Sequence, residues 1–292
     1  MTIGIVGNPA KGGLSGAVVA LVTRLESLGV SFVIDRALVP LLGPAAAGTW
    51  GKAARDLSSC IDESDLLIAF GGDGTMLGIA REIGARGTPL LGVNLGKLGF
   101  LAEVNPDELD AAIPEILAGK FPVEDRTVLE ATTPALPGAR ITAINDVVID
   151  KSHSPRLIDL ETYIDGAFAA TYRGDGLIIS TPTGSTAYAL SNNGPIVTPG
   201  SDVLGITPIA PHTLGGRPLI VPEWSVIRIV AYSPSDEVMV SADGKVEVLA
   251  APPLEVTIRR AAHAVRLLRR PDRTYFDVLR AKLLWVQDAR RG

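Results

Sequence analysis

Residues 66–77 read LLIAFGGDGTML: an apolar run of strand length breaks into Gly71, Gly72, Asp73, Gly74 and Thr75, and an apolar segment of helical character resumes at Met76. That order predicts a strand, a tight glycine turn and the start of a helix. Glycines let the backbone approach a ligand closely, and the first amides of a helix have no partner inside it, so such a turn is a ready anion site. Asp73 stands against that reading, because a carboxylate among phosphates repels them unless a cation bridges the two or the carboxylate faces a hydroxyl. Phosphate held by the backbone, with the chemistry at Asp73, resolves the conflict; the plain alternative is a strand-to-helix turn capped by Asp73. The stretch is not a dinucleotide fingerprint, since Gly72, Gly74 and Gly78 are spaced one residue too widely and position 94 is Asn where an acid belongs. No Walker A loop occurs in the chain.

Working outward from the turn, residues 3–6 form a first apolar strand, followed by a loop over 7–13 whose Lys11 reads as an exposed lysine more readily than as an anion ligand. Residues 15–29 carry Ala17, Val18, Leu21, Val22, Leu25 and Leu28 at helical spacing and stop at Gly29. A strand is expected over 31–34, a mobile connection and flap over the Pro-, Gly- and Ala-rich 40–50, a helix over 76–83, and a strand over 89–93 that runs into Asn94. Strands alternating with helices imply a parallel sheet whose ligands sit beyond the carboxyl ends of its strands, where the glycine turn lies.

After about residue 125 the character changes. Short runs rich in β-branched residues at 129–131, 141–149, 157–164, 167–172, 177–180, 225–232, 238–241, 246–249 and 254–259 are punctuated by Gly, Pro and Asp, and Asp165-Gly166 and Asp243-Gly244 are hairpin-turn signals. The expected fold is an α/β N-terminal domain with a parallel sheet plus a mainly antiparallel, all-β C-terminal domain. The boundaries fall at 1–125 and 126–269. Residues 274–288 return to helical spacing through Phe276, Leu279, Leu283, Leu284 and Val286, so 270–292 are expected to complete the first domain.

At 292 residues, with 47% hydrophobic and 20% charged residues, the chain can bury a substantial core and is not a disordered chain. A net charge of -5 without a basic block argues against nucleic acid as a partner. The single cysteine, Cys60, and the scattered His153, His212 and His263 form no metal-ligand set. The N-terminus lacks a signal-peptide pattern and no window approaches 18 apolar residues, so no membrane partner is expected and the cytoplasm is the default.

Two further stretches read as site material. Asn145 and Asp146 set an amide beside a carboxylate where a strand begins, a pattern that a capped turn also produces. From Arg173-Gly174-Asp175-Gly176 the chain passes through a strand into Thr181-Pro182-Thr183-Gly184-Ser185-Thr186-Ala187-Tyr188 and on to Ser191 and Gly194. Hydroxyls in that density with few charges suit a site that hydrogen-bonds hydroxyls, amides and a base edge.

These motifs, with Asn94-Leu95-Gly96-Lys97-Leu98-Gly99-Phe100, Pro208 to Leu214 and Arg217-Pro218-Leu219, resemble the NAD kinase family in identity and order, over essentially the whole chain. The glycine turn alone is shared with diacylglycerol and sphingosine kinases and is similar to that of phosphofructokinases; the 181–188 run is far more specific. The resemblance implies phosphate transfer from ATP or inorganic polyphosphate to the adenosine ribose 2′-hydroxyl of NAD, with Mg²⁺ or another divalent cation. It makes Asp73 the catalytic aspartate and gives the donor phosphates to Gly71, Gly72, Gly74 and Thr75. Asn145 and Asp146 take the adenine side, with Asp where the family more commonly has Glu. Arg156, Arg173, Asp175, Thr186, Ala187, Tyr188 and Ser191 match NAD-contacting positions, with Phe100 as an adenine wall and Lys245 as a further ligand contact. Some of these groups come from a neighbouring subunit in bacterial relatives, so a homodimer or homotetramer is implied. The chain departs from the family pattern at Asn192-Asn193, Gly215-Gly216 and Lys245. A lipid or sugar kinase with the same turn, or an NAD-binding sensor without activity, are the competing functions; the hydroxyl-rich run argues against the first and Asp73 against the second.

Overall fold

The computed structural model describes residues 1–96, 99–212, 215–235 and 237–283, the side chains of 45–47 excepted. Among the described residues, those within 1–125 together with 265–283 form one compact unit, and those within 126–264 form the other.

The first unit runs β1 (Thr2–Gly7), α1 (Leu14–Ser27), β2 (Ser31–Asp35), α2 (Pro44–Trp50), β3 (Ala54–Arg55), α3 (Leu57–Asp62), β4 (Leu66–Gly71), α4 (Asp73–Ile83), β5 (Leu90–Asn94) and α5 (Leu109–Leu117). Its strands are parallel in the order β5-β4-β1-β2-β3, with Ile5 beside Ile68 and Ile68 beside Leu91. Every residue of β4 is buried, because a strand between two neighbours in a sheet covered on both faces meets no water. Ile3, Ile5, Ile68, Phe70, Leu91 and Val93 pack against the apolar stripe of α1 and against Leu109, Ile113 and Ile116 of α5.

The flap expected over 40–50 is instead a 3₁₀ turn at Val39–Leu42 followed by α2. Leu42 and Trp50 lie in the core, and the Trp50 indole Nε1 donates to Glu26 Oε1 at 2.8 Å. Two buried anchors fix a segment whose Pro, Gly and Ala content suggests mobility.

The second unit holds most of β6 (Val123–Thr132), then β7 (Ile141–Ala143), β8 (Asp146–Asp150), β9 (Ile158–Ile164), β10 (Ala167–Gly174), β11 (Gly176–Ser180), α6 (Tyr188–Ser191), β12 (Val203–Ile209), β13 (Leu219–Pro222), β14 (Ile227–Tyr232), β15 (Val238–Ala242), β16 (Lys245–Ala250) and most of β17 (Leu254–Leu268). One antiparallel sheet has six strands in the order β13-β12-β11-β8-β15-β16; the other runs β10-β9-β14-β17. Val147, Ile149, Leu177, Ile179, Leu204 and Ile206 from the first meet Ile158, Leu160, Ile227, Ile229, Val256 and Ile258 from the second in one core. Both Asp-Gly turns carry positive φ at each residue, 51° and 84° at Asp165-Gly166 and 47° and 77° at Asp243-Gly244, the hairpin geometry that closes β9–β10 and β15–β16. The strand expected over 141–149 is broken at Ile144 and Asn145, and the run at 254–259 continues to Leu268, where Leu267 pairs with Leu90 of β5.

The chain ends, among its described residues, in α7 (Tyr275–Leu283) of the first unit, with Val278 and Leu279 buried. Residues 284–288 of the expected helix, Leu284 and Val286 included, lie outside the described residues, as do Lys97, Leu98, Thr213 and Leu214 of the motifs quoted above.

Candidate active site

In the first unit the glycine turn ends β4 and opens α4 directly. Gly72 is the N-cap, and its carbonyl accepts the Thr75 and Met76 N–H at 2.9 and 3.1 Å, so the Asp73 and Gly74 amides precede the intrahelical ladder. The partial positive charge of the helix start adds to those donors. Asp73 turns its carboxylate back onto the chain that follows β5: Oδ2 accepts from Phe100 N–H and Oδ1 from Leu101 N–H, each at 3.0 Å. Gly99 makes this approach possible, because a Cβ there would sit 2.1 Å from Asp73 Oδ1. Asn94 braces the same loop by exchanging two hydrogen bonds with Gly96, while Leu95 N–H donates to the Gly71 carbonyl. From α7, Lys282 Nζ lies 3.7 Å from Asp73 Oδ2 and 5.0 Å from the centre of the Phe100 ring, which also neighbours Tyr275.

In the second unit Asn145 and Asp146 stand at the start of β8, beside Ser180 at the end of β11. The 181–188 run folds onto them. Thr181 N–H donates to the Asn145 carbonyl at 2.9 Å, Thr181 Oγ1 donates to the Ile144 carbonyl, and a Cβ at Gly184 would lie 1.9 Å from the Asn145 carbonyl oxygen. Behind the run, buried Arg126 reaches Thr183 Oγ1 at 3.2 Å and Ser185 Oγ donates to the Pro182 carbonyl. Thr186 and Ala187 are half-buried, while Tyr188 and Ser191 are exposed. Asp146 is 4% exposed, and its burial, followed by the like charge of Asp243, pushes its carboxyl up to about 7 against the lowering effect of the Tyr188 N–H.

The remaining candidates lie elsewhere on this unit. Asp175 follows β10 at the far end of β11 from Asn145 and Asp146, five residue steps or about 17 Å along the strand from Ser180, the partner of Asp146. There it pairs with Lys151 Nζ at 2.7 Å, while Arg173, exposed on β10, is 3.7 Å from Asp159. Arg156 is exposed in the loop before β9, and Lys245 at the start of β16 reaches Glu247 at 3.2 Å. Thus 71–75 and Phe100 gather around Asp73 in one unit, 186–188 and Asn145 gather around Asp146 in the other, and Arg156, Arg173 and Asp175 join neither group.

Sequence reasoning missed four contributors. Gly99 and Leu101 act through space and backbone, which leave no signature in side-chain type. Lys151 sits next to no motif glycine. Asp243 is visible only as the first residue of a hairpin turn.

A parallel-sheet strand that delivers one carboxylate to the amide-rich start of a helix, in a chain with a second, β-rich unit that holds a buried carboxylate of its own, fits the class of phosphate-transferring, nucleotide-handling enzymes. The ATP-NAD kinase N-terminal domain matches residues 3–121, and the ATP-NAD kinase C-terminal domain matches residues 144–270. The NAD kinase of Syntrophotalea carbinolica is 42% identical over 89% of this chain and 90% of its own, and that of Thiobacillus denitrificans is 41% identical over 97% of each. The chain belongs to the NAD kinase family. Yeast NADH kinase, in its complex with NADH, superposes with a TM-score of 0.84 at 27% identity over 99% of this chain and 89% of that one. An Archaeoglobus fulgidus NAD kinase in complex with ATP shares the fold, at a TM-score of 0.76 and 24% identity over 96% and 99% of the two chains.

Proposed function

We propose that this enzyme transfers a phosphoryl group from ATP or inorganic polyphosphate to the adenosine ribose 2′-hydroxyl of NAD, giving NADP. The observation that carries the reading is the Asp73 carboxylate, held on two amides beside the unpaired start of α4. The Asp73 and Gly74 N–H groups are offered to donor phosphate. Asp73 orients the acceptor hydroxyl and takes its proton as the new O–P bond forms and the donor's bridging P–O bond breaks. Such transfers pass through a loose transition state in which positioning and charge neutralisation dominate, so a weak base suffices.

Among the described residues no three His, Cys, Asp or Glu side chains converge to cage a metal. A divalent cation that keeps most of its waters and arrives on the donor's phosphates fits that donor set, with Asp73 as the protein carboxylate available to it. When bound, it would neutralise phosphate charge.

Asn145 and Asp146 are assigned the adenosine hydroxyls and base edge, with the 181–191 run around them. Asp175, about 17 Å away along the line of β11, and Arg173 two residues before it on β10 are assigned to the dinucleotide of a second copy of the chain. The test is NADP formation from NAD and Mg²⁺, with ATP in one reaction and polyphosphate in another. Product in either supports the reading and identifies the donor, whereas NAD binding without product in either one overturns it.

A further inference from the structure

We propose that Asp243, at the tip of the β15–β16 hairpin, is a positioning residue for the dinucleotide pair Asn145 and Asp146, fixing their backbone through its carboxylate and tuning Asp146 through its charge. This rests on the assignment of NAD to that pair.

The geometry is a clasp. Asp243 Oδ1 accepts from the amide N–H of Ile144, Asn145 and Asp146 at 3.1, 2.7 and 3.3 Å, and Oδ2 accepts from Ile144 at 3.0 Å. In return Asp243 N–H donates to the Asp146 carbonyl at 3.0 Å. These three consecutive amides are where β7 stops and β8 begins, so a strand ladder does not satisfy them; a carboxylate accepting several backbone N–H groups is a strong, charge-assisted substitute. The Asp-Gly turn is what delivers it. With φ of 47° and 77° the hairpin reverses in two residues, and the side chain of the first lies over the β7–β8 link instead of in solvent.

The clasp sets a direction as well as a charge. Thr181 locks the carbonyl side of the same link, through its N–H to Asn145 and its hydroxyl to Ile144, while Asp243 locks the amide side. Held on both sides, the Asn145 and Asp146 side chains have a fixed origin. Around Asp146 stand the Asp243 carboxylate from the hairpin turn, the Tyr188 N–H from α6, Ser180 across from it on β11, and Asn145 before it in the link. Asp243 is the like charge in that set; burial first, and then that charge, raise the Asp146 carboxyl to about 7. An ionised carboxylate accepts ribose hydroxyls at both oxygens through charge-assisted bonds, whereas protonation turns one oxygen into a donor and weakens the other as an acceptor, so NAD binding is coupled to loss of that proton.

Asp243→Asn separates the two roles, because Oδ1 of the amide can keep the three bonds while the charge is gone. NAD affinity, measured by isothermal titration of the full chain from pH 5 to 9, is expected to weaken below about pH 7 in the wild type. In Asp243→Asn that midpoint should move down by roughly one pH unit, making NAD binding about threefold to tenfold tighter than wild type near pH 6. Asp243→Ala removes the clasp as well as the charge, and at pH 8 to 9, where Asp146 is ionised in both proteins, its NAD affinity should fall by about tenfold with the secondary structure retained. An unmoved midpoint in Asp243→Asn overturns the charge role, and wild-type affinity of Asp243→Ala at pH 8 to 9 overturns the positioning role. If the alanine variant does not fold, the asparagine profile still decides. A wild type that binds no NAD at any pH refutes the assignment of the site, a result distinct from either failure.

Discussion

Replacing Asp73 by Asn leaves an acceptor for one of the two amides at Phe100 and Leu101 and takes away the group that can accept a proton. The reaction, not the binding of NAD, should therefore suffer. Turnover is expected to fall by about 10²- to 10⁴-fold while NAD affinity stays within about twofold, read by NADP formation and by titration of NAD. Turnover near wild type would remove Asp73 from the chemistry. Asp146 makes a prediction about stability. An acid whose folded pKa of about 7 lies above its unfolded value, roughly 4, holds its proton more tightly when folded. It therefore favours the folded state at low pH and loses that advantage as pH rises from about 4 to about 7, at a cost of up to about 4 kcal/mol by pH 8. Asp146→Asn should melt several degrees above wild type at pH 8 and close to it at pH 4.5. An equal difference at both pH values would show that the carboxyl is not perturbed.

At the scale of elements, α7 does more than cover an apolar face, since Lys282 stands 3.7 Å from the Asp73 carboxylate. A pair at that distance, still open to solvent on part of each side chain, contributes little to stability, on the order of 0–1 kcal/mol, but a cation there would face donor phosphate. Lys282→Met is expected to raise the KM for ATP by about threefold to tenfold, with Tm nearly unchanged and with Lys282→Arg restoring most of the loss; a KM equal to wild type would reduce the lysine to a solvated neighbour. The elements were legible where pattern and burial coincide. β4 is an unbroken apolar run because both its faces are covered, and α1 repeats its apolar residues at helical spacing, so both stand out. α5 hides behind Pro114 in its interior, and β12 behind Gly205 and Pro208, residues that argue against a helix and a strand until neighbours fix them. β13, an edge strand ending at Pro222, is too short to declare itself. The break at Ile144 and Asn145 could not be read locally, because its cause is a carboxylate about a hundred residues later in the chain. Motifs made the acid positions visible in the same way, while their supports at Gly99, Leu101 and Lys151 depend on tertiary approach and leave no local trace.

The whole molecule raises a question of how many chains build one site. Along a single chain, Arg173 and Asp175 end up at the opposite end of β11 from Asp146, too far for the three to hold the same end of a dinucleotide. The edge strand β13 exposes Leu219 and Ile220, and Trp224 just beyond it is 73% exposed, apolar surface of the kind that association covers. If a symmetric pair shares its sites, each site takes Asp146 from one chain and Arg173 from the other. Asp146→Asn and Arg173→Ala, each impaired alone, then complement each other when co-expressed. In a mixed pair one site carries both changes and the other carries neither, so random pairing should restore about a quarter of wild-type activity. A site built within one chain gives no such recovery, because every copy would keep one defect. Measured NADP formation by the co-expressed mixture, against each variant assayed separately, distinguishes the two arrangements without reference to the size of the assembly.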